Sequence, residues 1–239
     1  MIAILFSFLI AAMTSNDAVC IVLNSPSSSS KRRYEEARAM VQRDAEAGKP
    51  LQQFVVGVTT SGKQAEKYLD AARPKIMQMA EKKNNSLAWY LLSMEKNDVK
   101  LLERAAKGGN VQALNALGSI NTQMALASKT ITTNELEKVL HESFLHFGQA
   151  AAKKDANGYI NLGTCYLKGF GCDMDWNLAF ECFKSAAEAG HPEGMDNMSA
   201  CYQLGHGVPK NDELSLYWHM KAKSARGDEA ARRWLEAKK

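Results

Sequence analysis

A period of 36 residues constrains this chain more than any other feature of it. Displaced by 36 positions, Leu162-Gly163-Thr164-Cys165-Tyr166 falls on Met198-Ser199-Ala200-Cys201-Tyr202, and Gly169-Phe170-Gly171 falls on Gly205-His206-Gly207. The same displacement puts Asp175 on Asn211 and Phe180 on Leu216; reversed, it puts Phe183 on Phe147 and Ala186-Ala187 on Ala150-Ala151. A unit this short cannot enclose a core alone, so successive copies must stack on one another as a solenoid.

Each copy reads as two helices. The first spans Ala156 to Lys168 and stops at Gly169-Phe170-Gly171, because glycine accepts the left-handed conformation at little cost. Asp175, or Asn211 one period later, then caps a second helix by accepting backbone N–H bonds. That helix carries Phe180, Phe183, Ala186 and Ala187 on one face, and the unit closes at Gly190 or Gly227. Small residues, the alanine pairs together with Gly118 and Gly163, let neighbouring helices approach closely.

The pattern Leu-Gly-x-x-Tyr-x-x-Gly-x-Gly, a capping Asp, then Ala-Phe and Ala-Ala-Glu-x-Gly, running from Leu162 to Gly190, resembles the Sel-1-like repeat, a relative of the tetratricopeptide repeat. The resemblance implies an all-α fold, a right-handed α-α superhelical solenoid of about five helix-turn-helix repeats. The best-matching units are 156–190 and 192–227, with a closing helix at 228–237 and periodicity over 31–239. Towards the amino terminus the copies decay: one unit is 45 residues long, with its nine extra residues around Asn121 to Asn134, and the one before it spans only 25. Pro74, inside an otherwise helical Gln64 to Glu81, predicts a kink or a break.

The charge distribution separates a leader from this body. None of the 30 basic residues precedes Lys31, and Asp17 is the only charged side chain before it. Met1–Met13 is apolar except for Ser7, which fits a signal-peptide core and is short for a membrane span. Residues 1–23 therefore read as a signal peptide or N-terminal anchor, and 24–30 as a Ser-rich linker. Cleavage exports the body to a periplasmic or secreted location; retention, with Lys31-Arg32-Arg33 behind the apolar run, keeps it cytoplasmic. Cys20 is a poor match to a lipoprotein box. Membrane contact is expected only through this segment, and the interspersed charges of the body argue against a nucleic-acid partner.

The chemistry that might be claimed is thin. Cys165, Cys172, Cys182 and Cys201 contain no C-x-x-C, so no zinc knuckle is expected, and no cofactor or metal site is read. A cysteine-rich secreted branch of the resembled family staples its helix pairs with disulfides, which would make Cys182 a partner for Cys165 or Cys201; buried free thiols are the alternative. His141 and His146 are five apart, about 140° around a helix, which fails the i, i+4 zinc geometry. Ser93-Met94-Glu95-Lys96 matches Ser-x-x-Lys, and penicillin binding or hydrolysis has been attached to that cysteine-rich branch, but the companion Ser-Asp-Asn and Lys-Thr-Gly elements are absent.

What remains is surface. In tetratricopeptide-like solenoids the first helices line a concave groove that holds a peptide or a partner helix. Asn161 and Asn197 are period-related on those helices, as are Tyr159 and Met195, and each Asn offers donors and an acceptor to a partner backbone. Trp89, Tyr90, Trp176, Trp218 and Trp234 read as core or interface aromatics. The expected function is a non-catalytic scaffold for a protein or peptide partner. The competing readings are a penicillin-interacting hydrolase using Ser93 and a structural envelope protein.

Overall fold

The computed structural model describes residues 31–238, with side chains from Glu35 onward. The leader and linker assignments over 1–30, Cys20 among them, lie outside the described residues. Twelve helices and no strand occur among the described residues. They are α1 Lys31–Glu46, α2 Pro50–Thr59, α3 Lys63–Lys83, α4 Ser86–Lys96, α5 Val99–Lys107, α6 Val111–Ala127, α7 Thr133–Ala152, α8 Ala156–Lys168, α9 Trp176–Glu188, α10 Pro192–Leu204, α11 Asp212–Ala225 and α12 Glu229–Glu236. Each packs on the next, and even-numbered neighbours also touch (α2 with α4, α6 with α8, α8 with α10). The result is a superhelical solenoid of five pairs, α2–α3 to α10–α11, flanked by α1 and α12. The even-numbered helices are inner, the odd-numbered outer.

Fixed register positions on the inner helices explain the period. At the third residue of α4, α6, α8 and α10, a small side chain meets the outer helix of the unit before. A Cβ on Gly158 would lie 2.6 Å from the Ala151 nitrogen, and one on Gly194 would lie 2.7 Å from the Ala186 Cβ; Ala88 and Ala113 fill the same position, fully buried. This is the close crossing that the alanine pairs require. At the eighth residue the inner helix meets its own outer partner. A Cβ on Gly118 would lie 2.6 Å from the Phe147 ring, and one on Gly163 would lie 2.7 Å from the Phe183 ring. In the last pair this residue is Ser199, whose hydroxyl donates to the Ser215 carbonyl at 2.8 Å, so a hydrogen bond replaces the ring-on-glycine contact.

Gly-x-Gly has two jobs. Gly169 and Gly205 end α8 and α10 with φ of 69° and 78°. Gly171 and Gly207, also at positive φ, press their backbone onto the outer helix of the preceding unit, against Leu140 and Trp176. The capping residues are the expected ones: the Asp175 side chain accepts from Asn177 and Leu178 nitrogens, and that of Asn211 from the Leu214 nitrogen.

Two expectations take a definite form. The 45-residue unit spends its extra length on longer helices, 17 residues in α6 and 20 in α7 against 13 in α8 and α9. And α3 runs unbroken through Pro74, which lies on its exposed side. Proline at 74 removes the N–H that would bond the carbonyl of Asp70, an exposed residue. Neighbouring Arg73 bonds both the Asp70 carboxylate, at 2.8 Å, and Glu95 of α4, at 2.6 Å, tying the Pro74 turn to the next helix.

Candidate binding groove on the inner helices

The second, fifth, sixth and ninth residues of an inner helix lie i, i+3, i+4 and i+7 apart, on one face. A cavity of about 280 Å³ opens on this face, lined by Tyr90 of α4, Gln112, Asn115, Ala116 and Ser119 of α6, and Asn157 and Asn161 of α8. None of these side chains is charged. Their amides form a chain across two helices: Asn161 Nδ2 lies 3.4 Å from the Asn115 Oδ1 it donates to, and Asn115 Nδ2 donates to Asp155 Oδ1 at 2.7 Å. Asp155 also caps α8 by accepting from the Gly158 nitrogen, so the cap fixes the amides. Asn161 keeps its own carbonyl oxygen for a ligand. An amide that presents donor and acceptor side by side matches the edge of an extended peptide unit.

Asn161 thus lines the groove, and Asn197, half-buried on α10, occupies the same register position one unit on. Tyr159 and Met195 do not belong there. They are the fourth residues of their helices, about 100° away from the groove stripe, and Met195 is buried among Ala179, Phe180, Phe183 and Ala222. Tyr90, read as a core or interface aromatic, packs against the core cluster of Leu102, Leu114 and Leu117 and also lines the groove, whereas Trp176 is 44% exposed and stacks on His206 of the next unit at 4.4 Å.

The other candidate chemistry disperses. Ser93 is the eighth residue of α4, the small-residue position that faces the outer helix. It is buried, and its hydroxyl donates to the Tyr90 carbonyl at 2.6 Å. A nucleophile there would have no access to substrate. His141 is exposed, with Nδ1 2.8 Å from the Gly171 carbonyl, while His146 is half-buried, and burial lowers its pKa. Cys165, Cys172, Cys182 and Cys201 are all free thiols. Burial pushes Cys165 up to about 12 and Cys182 and Cys201 to about 11. Cys201 packs into the α9–α10–α11 core, and no bridge joins it to Cys182 or Cys165. Among the described residues no group of His, Cys, Asp or Glu is arranged to hold a metal ion, and no helix is long and apolar enough to cross a membrane.

Comparison with known proteins follows the same units. A family described as Sel1 repeat matches residues 156–191 and 192–225. A stretch of 69 residues is 38% identical to cytochrome c oxidase assembly factor 7 of Xenopus tropicalis, covering 28% of this chain and 30% of that protein; factor 7A of Xenopus laevis matches over the same length and identity. The match therefore spans less than a third of these curated relatives. A solved structure of a protective antigen of uropathogenic Escherichia coli, with an SLR fold, superposes with a TM-score of 0.55 at 20% identity over 85% of this chain and 47% of that one. The two units that carry the strongest period, residues 156–225, are Sel1 repeats, and the solenoid around them has the SLR fold.

Proposed function

We propose that this protein is a non-catalytic scaffold that holds a protein segment along the inner face of its solenoid. The uncharged, amide-lined groove shared by α4, α6 and α8 carries this reading. A preformed groove on stacked helices lowers the ordering cost of association, which is what a rigid repeat surface contributes to binding. The Xenopus relatives are named cytochrome c oxidase assembly factors, and assembly is a role that a binding scaffold can serve. The Met1–Met13 run supports placing the scaffold in an exported compartment, which N-terminal sequencing of the mature protein tests. Replacing Asn161 and Asn197 by Ala should leave the helical circular dichroism unchanged and weaken crosslinked capture of the partner. Unchanged capture removes both residues from the site.

A further inference from the structure

The register that defines the groove also defines its two ends. On α4, the helix bordering the cavity on its amino-terminal side, the stripe positions that reach the surface are Leu87, Tyr90 and Met94, all apolar in body, with Met94 39% exposed, while Leu91 at the remaining position is buried in the core. In the middle, α6 and α8 supply Gln112, Asn115, Asn157 and Asn161. On α10 the stripe becomes Glu193, Asp196, Asn197 and Ala200. Glu193 is exposed and makes no ion pair among the described residues, while Asp196 is half-buried and shared with Arg226 at 2.5 Å and His219 at 3.4 Å. The groove therefore changes along its length from apolar, through neutral amide, to acidic.

Resting on the groove reading above, we infer that the bound segment is an extended peptide with a fixed polarity: an apolar side chain over α4, uncharged polar residues over α6 and α8, and a lysine or arginine over α10. In the middle the lining has no charged side chain of its own, and the Asp155 carboxylate behind it is already engaged by Asn115 and the Gly158 nitrogen, so a neutral polar side chain that bonds the half-buried amides fits there better than an ionised one. At the α10 end Glu193 supplies that counter-ion at the rim, where it selects partners and speeds encounter. Packed helices lie 8 to 10 Å apart, so three steps from α4 to α10 span roughly 24 to 30 Å. At about 3.3 Å per extended residue, the apolar and basic anchors are about eight residues apart.

Selection of phage-displayed random dodecapeptides on the folded protein tests this, with Ala116→Trp, which fills the groove centre, as the blocked control. Enriched sequences should carry an aliphatic or aromatic residue about eight positions from a Lys or Arg, with no charge between them. Glu193→Lys should invert the charge preference at that end alone and weaken an enriched peptide about tenfold, Glu193→Gln should remove the preference, and Tyr90→Ala should relax only the apolar position. Enrichment that depends on the open groove but shows no basic anchor, or one that survives Glu193→Lys, overturns the polarity inference and leaves the groove reading standing. Equal enrichment on the open and blocked proteins overturns the groove reading and the polarity with it.

Discussion

The Nδ1 atom of His141, on the outer helix of one unit, lies 2.8 Å from the carbonyl oxygen of Gly171, in the turn of the next. That contact holds the unit interface where the second glycine of Gly-x-Gly presses its backbone onto the preceding outer helix. Gly171 and Gly207 each have positive φ and no room for a Cβ, whereas Gly190 has φ of 85° and nothing within 4 Å. Ala at Gly190 should therefore cost about 1 kcal/mol of left-handed strain. Ala at Gly171 or Gly207 adds a backbone clash and should cost about 3 kcal/mol. Urea unfolding midpoints measure the difference; equal losses at all three positions would show that the turn does not dock.

A second backbone prediction concerns Lys154. The turns that lead into α2, α4, α6, α8, α10 and α12 each contain one residue with positive φ, namely Gly48, Asn84, Gly109, Lys154, Gly190 and Gly227. Lysine pays a steric penalty there that glycine avoids, partly offset by glycine's greater freedom in the unfolded chain. Lys154→Gly should raise stability by about 0.5 to 1 kcal/mol in the same urea assay, and a loss would mean that the side chain has a role in packing.

Much of this was legible from the residues. The period gave α8, α10 and their partners, since glycine, alanine and aromatic side chains recur there at contact positions. The start of α7 was missed although its signal was present: the Thr132 side chain accepts from the Glu135 nitrogen while the Glu135 carboxylate accepts from the Thr132 nitrogen, a capping box written as Thr-x-x-Glu. The face of the inner helix was harder to read. A repeat relates Met195 to Tyr159 as faithfully as Asn197 to Asn161, and only packing reveals which of two positions 200° apart looks outward.

Acid should loosen the α9–α10 junction. His191 is 1% exposed and neither ring nitrogen has a hydrogen-bond partner; burial lowers its pKa from 6.5, only partly opposed by Glu193 and Asp155. His146 is lowered for the same reason. For a histidine whose folded pKa lies below its unfolded value, stability is fully present above about pH 6.5. It is lost as the pH falls towards and through the folded pKa, because the unfolded chain binds the proton first. Unfolding midpoints should decline from pH 7 to pH 5, and His191→Asn, which supplies at the N-cap of α10 a neutral side chain like the Asn110 cap of α6, should flatten that slope. A wild-type midpoint independent of pH over this range would contradict the burial argument.

The thiols make a kinetic prediction. Only a thiolate attacks alkylating reagents, and burial raises the pKa of every described thiol, Cys165 the furthest, to about 12. Cys172, half-buried in the Gly-Phe-Gly turn, should label first with iodoacetamide. Cys165 and Cys201 should label only on unfolding. Mass-mapped labelling at pH 8 reads the order; early modification of Cys165 would place it at the surface.

Site-specific photocrosslinking tests the binding claim most directly. A photoreactive phenylalanine analogue is placed at Asn161 in the groove and, separately, at Glu137 on the exposed side of outer helix α7, and adducts are collected from cells that make the protein. A scaffold that binds along its inner helices gives a discrete adduct from position 161 that Ala116→Trp abolishes, and none from position 137. Adducts of equal yield from both positions, or an adduct at 161 indifferent to the blocked groove, would contradict it.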